Sequence, residues 1–162
     1  APEGGKNMAP RQHMRKMKVG KVTFTEAYKA VNEYRRKFPE KAVTFYAQNY
    51  PAMGWAVFMA GGSCPVIPCK DKAFLKDAAV MEVEETDSED YKKMVKSGIG
   101  SIIYSNSGVE VPVQLSSGKY ILRYIHPDSG EMEVISKSLK INNVYTLKVP
   151  DGKEGVYWFH RL

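Results

Sequence analysis

The sequence predicts an α/β front portion of βα units followed by an all-β antiparallel sandwich. Three observations carry this reading. In the front, apolar residues recur at helical spacing around one run, Ala42 to Ala47, that is apolar on both alternations. From Ile99 onward they recur at alternate positions in short runs separated by turn residues. Between the two lies an acidic stretch, Glu82 to Asp90, read as a solvated linker, which divides the chain into 1–85 and 86–162. Charge supports the division: residues 1–72 hold 13 Lys/Arg against 5 Asp/Glu, and residues 73–162 hold 11 against 13.

Taken in order, residues 1–22 are basic and Met-rich, with Pro10 and Gly20 as breaks, and read as a loop and a short helix. Thr23 followed by Glu26 is a capping box, the hydroxyl and carboxylate each accepting from the other's backbone N–H. Behind it Ala27, Ala30, Val31, Tyr34 and Phe38 form one apolar stripe of a helix that Pro39 ends. The β-branched and aromatic run Ala42–Ala47 reads as a strand covered on both faces. A short apolar helix follows from about Ala52 to Ala60, then Gly61-Gly62-Ser63, a second apolar run from Cys64 to Pro68, and a helix starting at Asp71. Helix, buried strand, helix, short strand, helix is the order of βα units.

In the back half the strand candidates are Ile99–Tyr104, Val109–Leu115, Tyr120–Ile125, Glu131–Ile135, Val144–Val149 and Val156–Phe159. Asn106-Ser107-Gly108, Ser116-Ser117-Gly118, Pro127-Asp128-Ser129-Gly130, Asn142-Asn143 and Asp151-Gly152 supply the turns. Short strands at this spacing make a sandwich.

Composition excludes several classes. With 43% hydrophobic and 26% charged residues the chain folds rather than staying disordered. No run of about 18 apolar residues exists, so no helix spans a membrane. The start, Ala1 to Gly5, lacks the charged and apolar regions of a signal peptide, as expected of a processed or internal start. The basic front carries no nucleic-acid reading motif, so a solvated helix face explains its charge better than nucleic acid does. Cys64 and Cys69 suit either a small-loop disulfide or two buried thiols; His13, His126 and His160 are too remote in sequence to complete a metal site. No phosphate loop surrounds Gly61-Gly62-Ser63, no nucleophile elbow surrounds Ser63, and no cofactor motif is present.

The run Phe45-Tyr46-Ala47-Gln48-Asn49-Tyr50-Pro51, Gly54-Trp55-Ala56, Phe58 to Ser63 and Pro65-Val66-Ile67-Pro68 resembles the last barrel segments of glycoside-hydrolase-like proteins. These belong to polysaccharide-degrading Bacteroidetes and pair a (β/α)8 barrel with a C-terminal β-sandwich, sometimes labelled collagen-binding. Ile102-Ile103-Tyr104-Ser105 and His126-Pro127-Asp128-Ser129-Gly130 resemble that sandwich, although Tyr124 and His126 depart from its usual residues.

The resemblance implies a C-terminal part of a secreted or periplasmic carbohydrate-active protein, since one or two βα units cannot close an eight-fold barrel. Its partners are then a carbohydrate ligand and the remainder of the barrel. Barrel enzymes place their sites at strand ends, which points to Gln48, Asn49 and Tyr50 as substrate-binding residues, with Trp55 offering a ring face. None of the four is an acid, so the two carboxylates of glycoside hydrolysis are not among them. Core packing explains Trp55 better than a sugar contact does, whereas for Gln48 and Asn49 function is favoured over the alternative of a turn and helix cap. The rival is a stand-alone, non-catalytic sandwich that binds an acidic polysaccharide or a protein through its basic front.

Overall fold

A computed structural model describes residues 23–44, 51–63 and 65–162. Helix α1, Phe24–Lys37, begins with the expected capping box: the Thr23 N–H donates to Glu26 Oε2 at 2.9 Å, and the Glu26 N–H to Thr23 Oγ1 at 3.2 Å. Arg35, Arg36 and Lys37 place positive charge at its C-terminal end, where the helix dipole favours it. Its buried face is not quite the predicted stripe. Ala27, Tyr28 and Val31 are buried with Phe24 packed beside them, whereas Tyr34 and Phe38 stay substantially exposed. The apolar contact of the helix with the core therefore comes from its first half.

Residues 42–44 form no strand. Val43 instead exchanges hydrogen bonds with Ser63, its N–H to Ser63 Oγ at 3.2 Å and its carbonyl accepting from the Ser63 N–H at 2.7 Å. The rest of that predicted strand, and Cys64, lie outside the described residues. The run after Cys64 is also not a strand, being held at a helix and a turn as described below. Among the described residues no parallel strand stands between the helices, so a barrel-like front is not seen.

Helix α2, Pro51–Met59, is apolar all round, and Met53 through Ala60 are buried, because α1 lies on one side and β2 and β3 on the other. It closes with a Schellman motif, the Gly62 N–H bonding the Val57 carbonyl at 2.8 Å and the Gly61 N–H that of Phe58 at 2.9 Å. Helix α3, Lys72–Val80, is capped by Asp71, whose Oδ1 accepts the Phe74 N–H at 2.9 Å. No helix among the described residues is long and apolar enough to cross a membrane.

The strands are β1 Glu82–Glu84, β2 Tyr91–Lys96, β3 Gly100–Ser105, β4 Glu110–Gln114, β5 Gly118–Ile125, β6 Met132–Ile141, β7 Val144–Lys148 and β8 Gly155–Arg161. Six form an antiparallel sheet in the order β1-β2-β3-β8-β5-β6, and β4 and β7 form a separate ribbon. All six strands predicted for the back half are present. Strands β1 and β2 are additional.

Alternation assigns each face of the large sheet. Ile103, Tyr120, Leu122, Tyr124, Tyr157 and Phe159 face the ribbon and pack on its Val111, Val113 and Leu147. Ile102, Tyr104, Ile125, Val156 and Trp158 point the other way, into one cluster with Val31, Trp55, Phe58 and Phe74 of the helices. The architecture is thus helices, sheet and ribbon in three layers, a sandwich whose outer face carries the helical front.

The acidic stretch is not a solvated linker. Its first residues form β1, where Glu84 pairs with Lys93 of β2 at 2.7 Å, and two later carboxylates hold helix α1: Glu85 pairs with Arg36, and Glu89 with Lys29 at 3.3 Å. Strand β1 lies before the 85/86 division and pairs with β2 behind it.

Candidate functional site

Three separated segments meet where the helical layer joins the sheet: the first turns of α2, the loop Pro65–Cys69, and the β5–β6 turn from His126 to Gly130. A Cβ on Gly54 would lie 1.8 Å from the Val66 carbonyl oxygen, so only glycine lets the loop pass there. Gly130, at φ 77°, brings its turn against the Pro68 carbonyl, 2.7 Å from where a Cβ would sit. Between them Trp55 donates its indole N–H to the Pro127 carbonyl oxygen at 2.7 Å.

Trp55 is 0% exposed, edge-on to Phe58 and Phe74. Its ring is occupied in the core and offers no face to a sugar there. Gln48, Asn49 and Tyr50 lie outside the described residues.

On the solvent side of the turn, His126 Nε2 pairs with Glu133 Oε2 at 2.9 Å, and Lys153 Nζ reaches the same oxygen at 3.0 Å. Lys153, foremost, and His126 hold the exposed Glu133 carboxyl below its usual range. Lys153 also lies over the ring of Tyr124, whose hydroxyl donates to the Glu154 carbonyl at 2.6 Å. Burial is the first cause that pushes the Tyr124 hydroxyl up. Ser63 does not join His126 and Asp128, since its Oγ is engaged by Val43 at the other end of α2. Cys69 is buried, and burial raises its thiol pKa; the partner that a disulfide would need, Cys64, is outside the described residues.

A second buttress was missed by sequence reasoning. Asp77 of α3, nearly buried, accepts from Trp158 Nε1 at 2.9 Å and pairs with His160 Nδ1 at 2.7 Å, both through Oδ2. The signal was present: an acid at the third position after Phe74, on the apolar face of its helix, must find donors in the core. Of Tyr104, Tyr120, Tyr124, Tyr145, Tyr157 and Trp158, only Tyr145 escapes full burial, so these rings fill the core rather than a stacking face.

Beside the joint, Asn32, Arg35, Leu75, Ala78, Ala79 and Val83 line part of an open groove of about 630 Å³. Among the described residues no three His, Cys, Asp or Glu side chains are placed to hold a metal ion.

A family model described as a domain of unknown function (DUF6298) matches residues 1–81, half of the 162. The chain belongs to this family. The DUF6298 match ends at Met81, the residue between α3 and β1, so within the described residues the family's domain is the helical layer. One solved structure named "Glycoside hydrolase" is similar at 15% identity and a TM-score of 0.37. The similarity covers 51% of this chain and 20% of that one, so the chain spans about one fifth of that protein's length. No curated protein matches it.

Proposed function

We propose that this chain is the C-terminal part of a carbohydrate-active, glycoside-hydrolase-like protein that is secreted or periplasmic and takes part in polysaccharide degradation. Residues 1–85 supply the end of the barrel, and residues 86–162 are the sandwich that braces it. Gln48, Asn49 and Tyr50 contact the carbohydrate, while Trp55 acts from the core to fix the helix that follows them. The catalytic acids lie outside this chain.

One observation carries the reading. Three segments, two of them close in sequence and the third some sixty residues or more further on, each singled out by its resemblance to such proteins, are in contact, through Trp55–Pro127, Gly54–Val66 and Gly130–Pro68. A brace must be rigid, and this joint contains two backbone approaches too close for any side chain. The exposed Phe38, Leu75 and Val80, together with the groove beside α3, fit the apolar surface on which the remaining barrel would pack.

The test is retention of the chain on immobilised neutral and acidic polysaccharides, beside a Gln48→Ala/Asn49→Ala variant of unchanged melting temperature. Retention by at least one polysaccharide that the variant loses supports the assignment. Retention by none, or equal retention by the variant, overturns it.

A further inference from the structure

The described residues do not cover the helix-bearing face of the large sheet to its end. On β5, Lys119, Ile121 and Arg123 alternate with the ribbon-facing Tyr120, Leu122 and Tyr124, so their side chains point to the helical side. Lys119 stands directly opposite Lys140 of β6, and Ile121 opposite His160 of β8. Lys119 and Lys140 are exposed; Ile121, Arg123 and His160 are half-buried. The result is a strip about 13 Å long, four strand positions from Lys119 to Arg123, that carries Lys119, Lys140, Arg123 and His160. The back half as a whole has more acids than bases, so its sequence hides this segregation by face.

Asp77 pairs with His160 and with Trp158 through the same Oδ2, and among the described residues no acid pairs with the other three members of the strip. None of the ion pairs among the described residues involves Lys119, Lys140 or Arg123. Like charges directly opposite on neighbouring strands destabilise a sheet, and an anion between them reverses the sign of that term. Arg123 is already fixed, its guanidinium 4.8 Å from the centre of the Trp158 ring, so little side-chain entropy remains to be lost on binding. The strip is open and elongated, which suits a polymer bearing more than one charge rather than a single small anion.

We infer that this strip, Lys119, Lys140, Arg123 and His160, binds an acidic polysaccharide through its carboxylates. The inference rests on the carbohydrate-active reading above and names a ligand class for it, at a place separate from Gln48, Asn49 and Tyr50. The test is affinity electrophoresis of the whole chain in gels containing polygalacturonate, with dextran as the neutral control and a single-stranded oligonucleotide as a second polyanion. A Lys119→Gln/Lys140→Gln variant is run alongside; removing a like-charge pair should leave its melting temperature unchanged or raised. Polygalacturonate should retard the natural chain, less so as salt rises, and affinity should fall roughly tenfold or more in the variant as its charged contacts go.

No retardation, or equal retardation of the variant, overturns the inference. So does equal retention of the oligonucleotide with the same loss in the variant, which would mark a general polyanion patch. Retention on a neutral polysaccharide that depends on Gln48 and Asn49 would leave the broader reading standing even then.

Discussion

The indole N–H of Trp55 donates to the carbonyl oxygen of Pro127 at 2.7 Å, linking residues 72 positions apart. That bond joins the helical layer to the turn between β5 and β6, and the packing around it makes the two parts one body. Replacing Trp55 with Ala would leave a large cavity and an unpaired carbonyl, at a cost of about 3–5 kcal/mol. Urea unfolding should show the loss as a lower midpoint in one cooperative transition. Separate transitions for the helices and the sheet, in the natural chain, would contradict the single-body account.

Gly54 tests the same joint by addition. A Gly54→Ala methyl would overlap the Val66 carbonyl oxygen, and the backbone would have to move. Overpacking of this kind costs about 1–3 kcal/mol or more. Thermal melting should show it, whereas Gly98→Ala, where a Cβ would meet nothing within 4 Å, should cost less despite its positive φ.

Asp77→Ala should be among the most damaging changes in α3. It leaves the buried Trp158 indole N–H without its acceptor, at about 1–3 kcal/mol, and removes the partner of the half-buried His160. By contrast Tyr28→Phe should be neutral or stabilising, because the Tyr28 hydroxyl is buried with no hydrogen-bond partner among the described residues. Burial, with Glu85 nearby, pushes that hydroxyl up to about 12. Chemical unfolding of the two variants side by side measures both.

Acid should loosen the strap over α1 before it reaches the core. Arg36, by hydrogen bond and charge, holds the Glu85 carboxyl below its ordinary value, and Lys153 does the same for Glu133. A depressed carboxyl pKa contributes stability above its unfolded value, about 4.3, and loses that contribution as pH falls through the folded value. Both groups are exposed, so the effect is small. Melting temperature followed from neutral pH down through the carboxylate range should decline, and Glu85→Gln should flatten the decline.

What the sequence revealed and what it hid follow from locality. The capping box of α1, the N-cap Asp71 and the turns after β3, β4 and β5 are built from neighbours, and each was legible. Strand β2 was not, because Lys92, Lys93 and Lys96 mask its alternation. Lys92 is buried beneath Tyr28, with Nζ satisfied by the Ser88 carbonyl, a contact no local pattern announces. The Glu82–Asp90 acids looked solvated because their cationic partners, Arg36 and Lys29, are some fifty to sixty residues away. Trp55 could be read either as a ring for a sugar or as core; Pro127, which decides between them, lies in another layer.

The measurement that tests the central claim most directly is the denatured intact mass of the natural gene product in its source organism. A part of a carbohydrate-active barrel protein should give a mass several-fold above the 18.2 kDa of this chain, with the catalytic acids in the additional residues. A mass near 18.2 kDa would contradict that account and leave a stand-alone binding sandwich in its place.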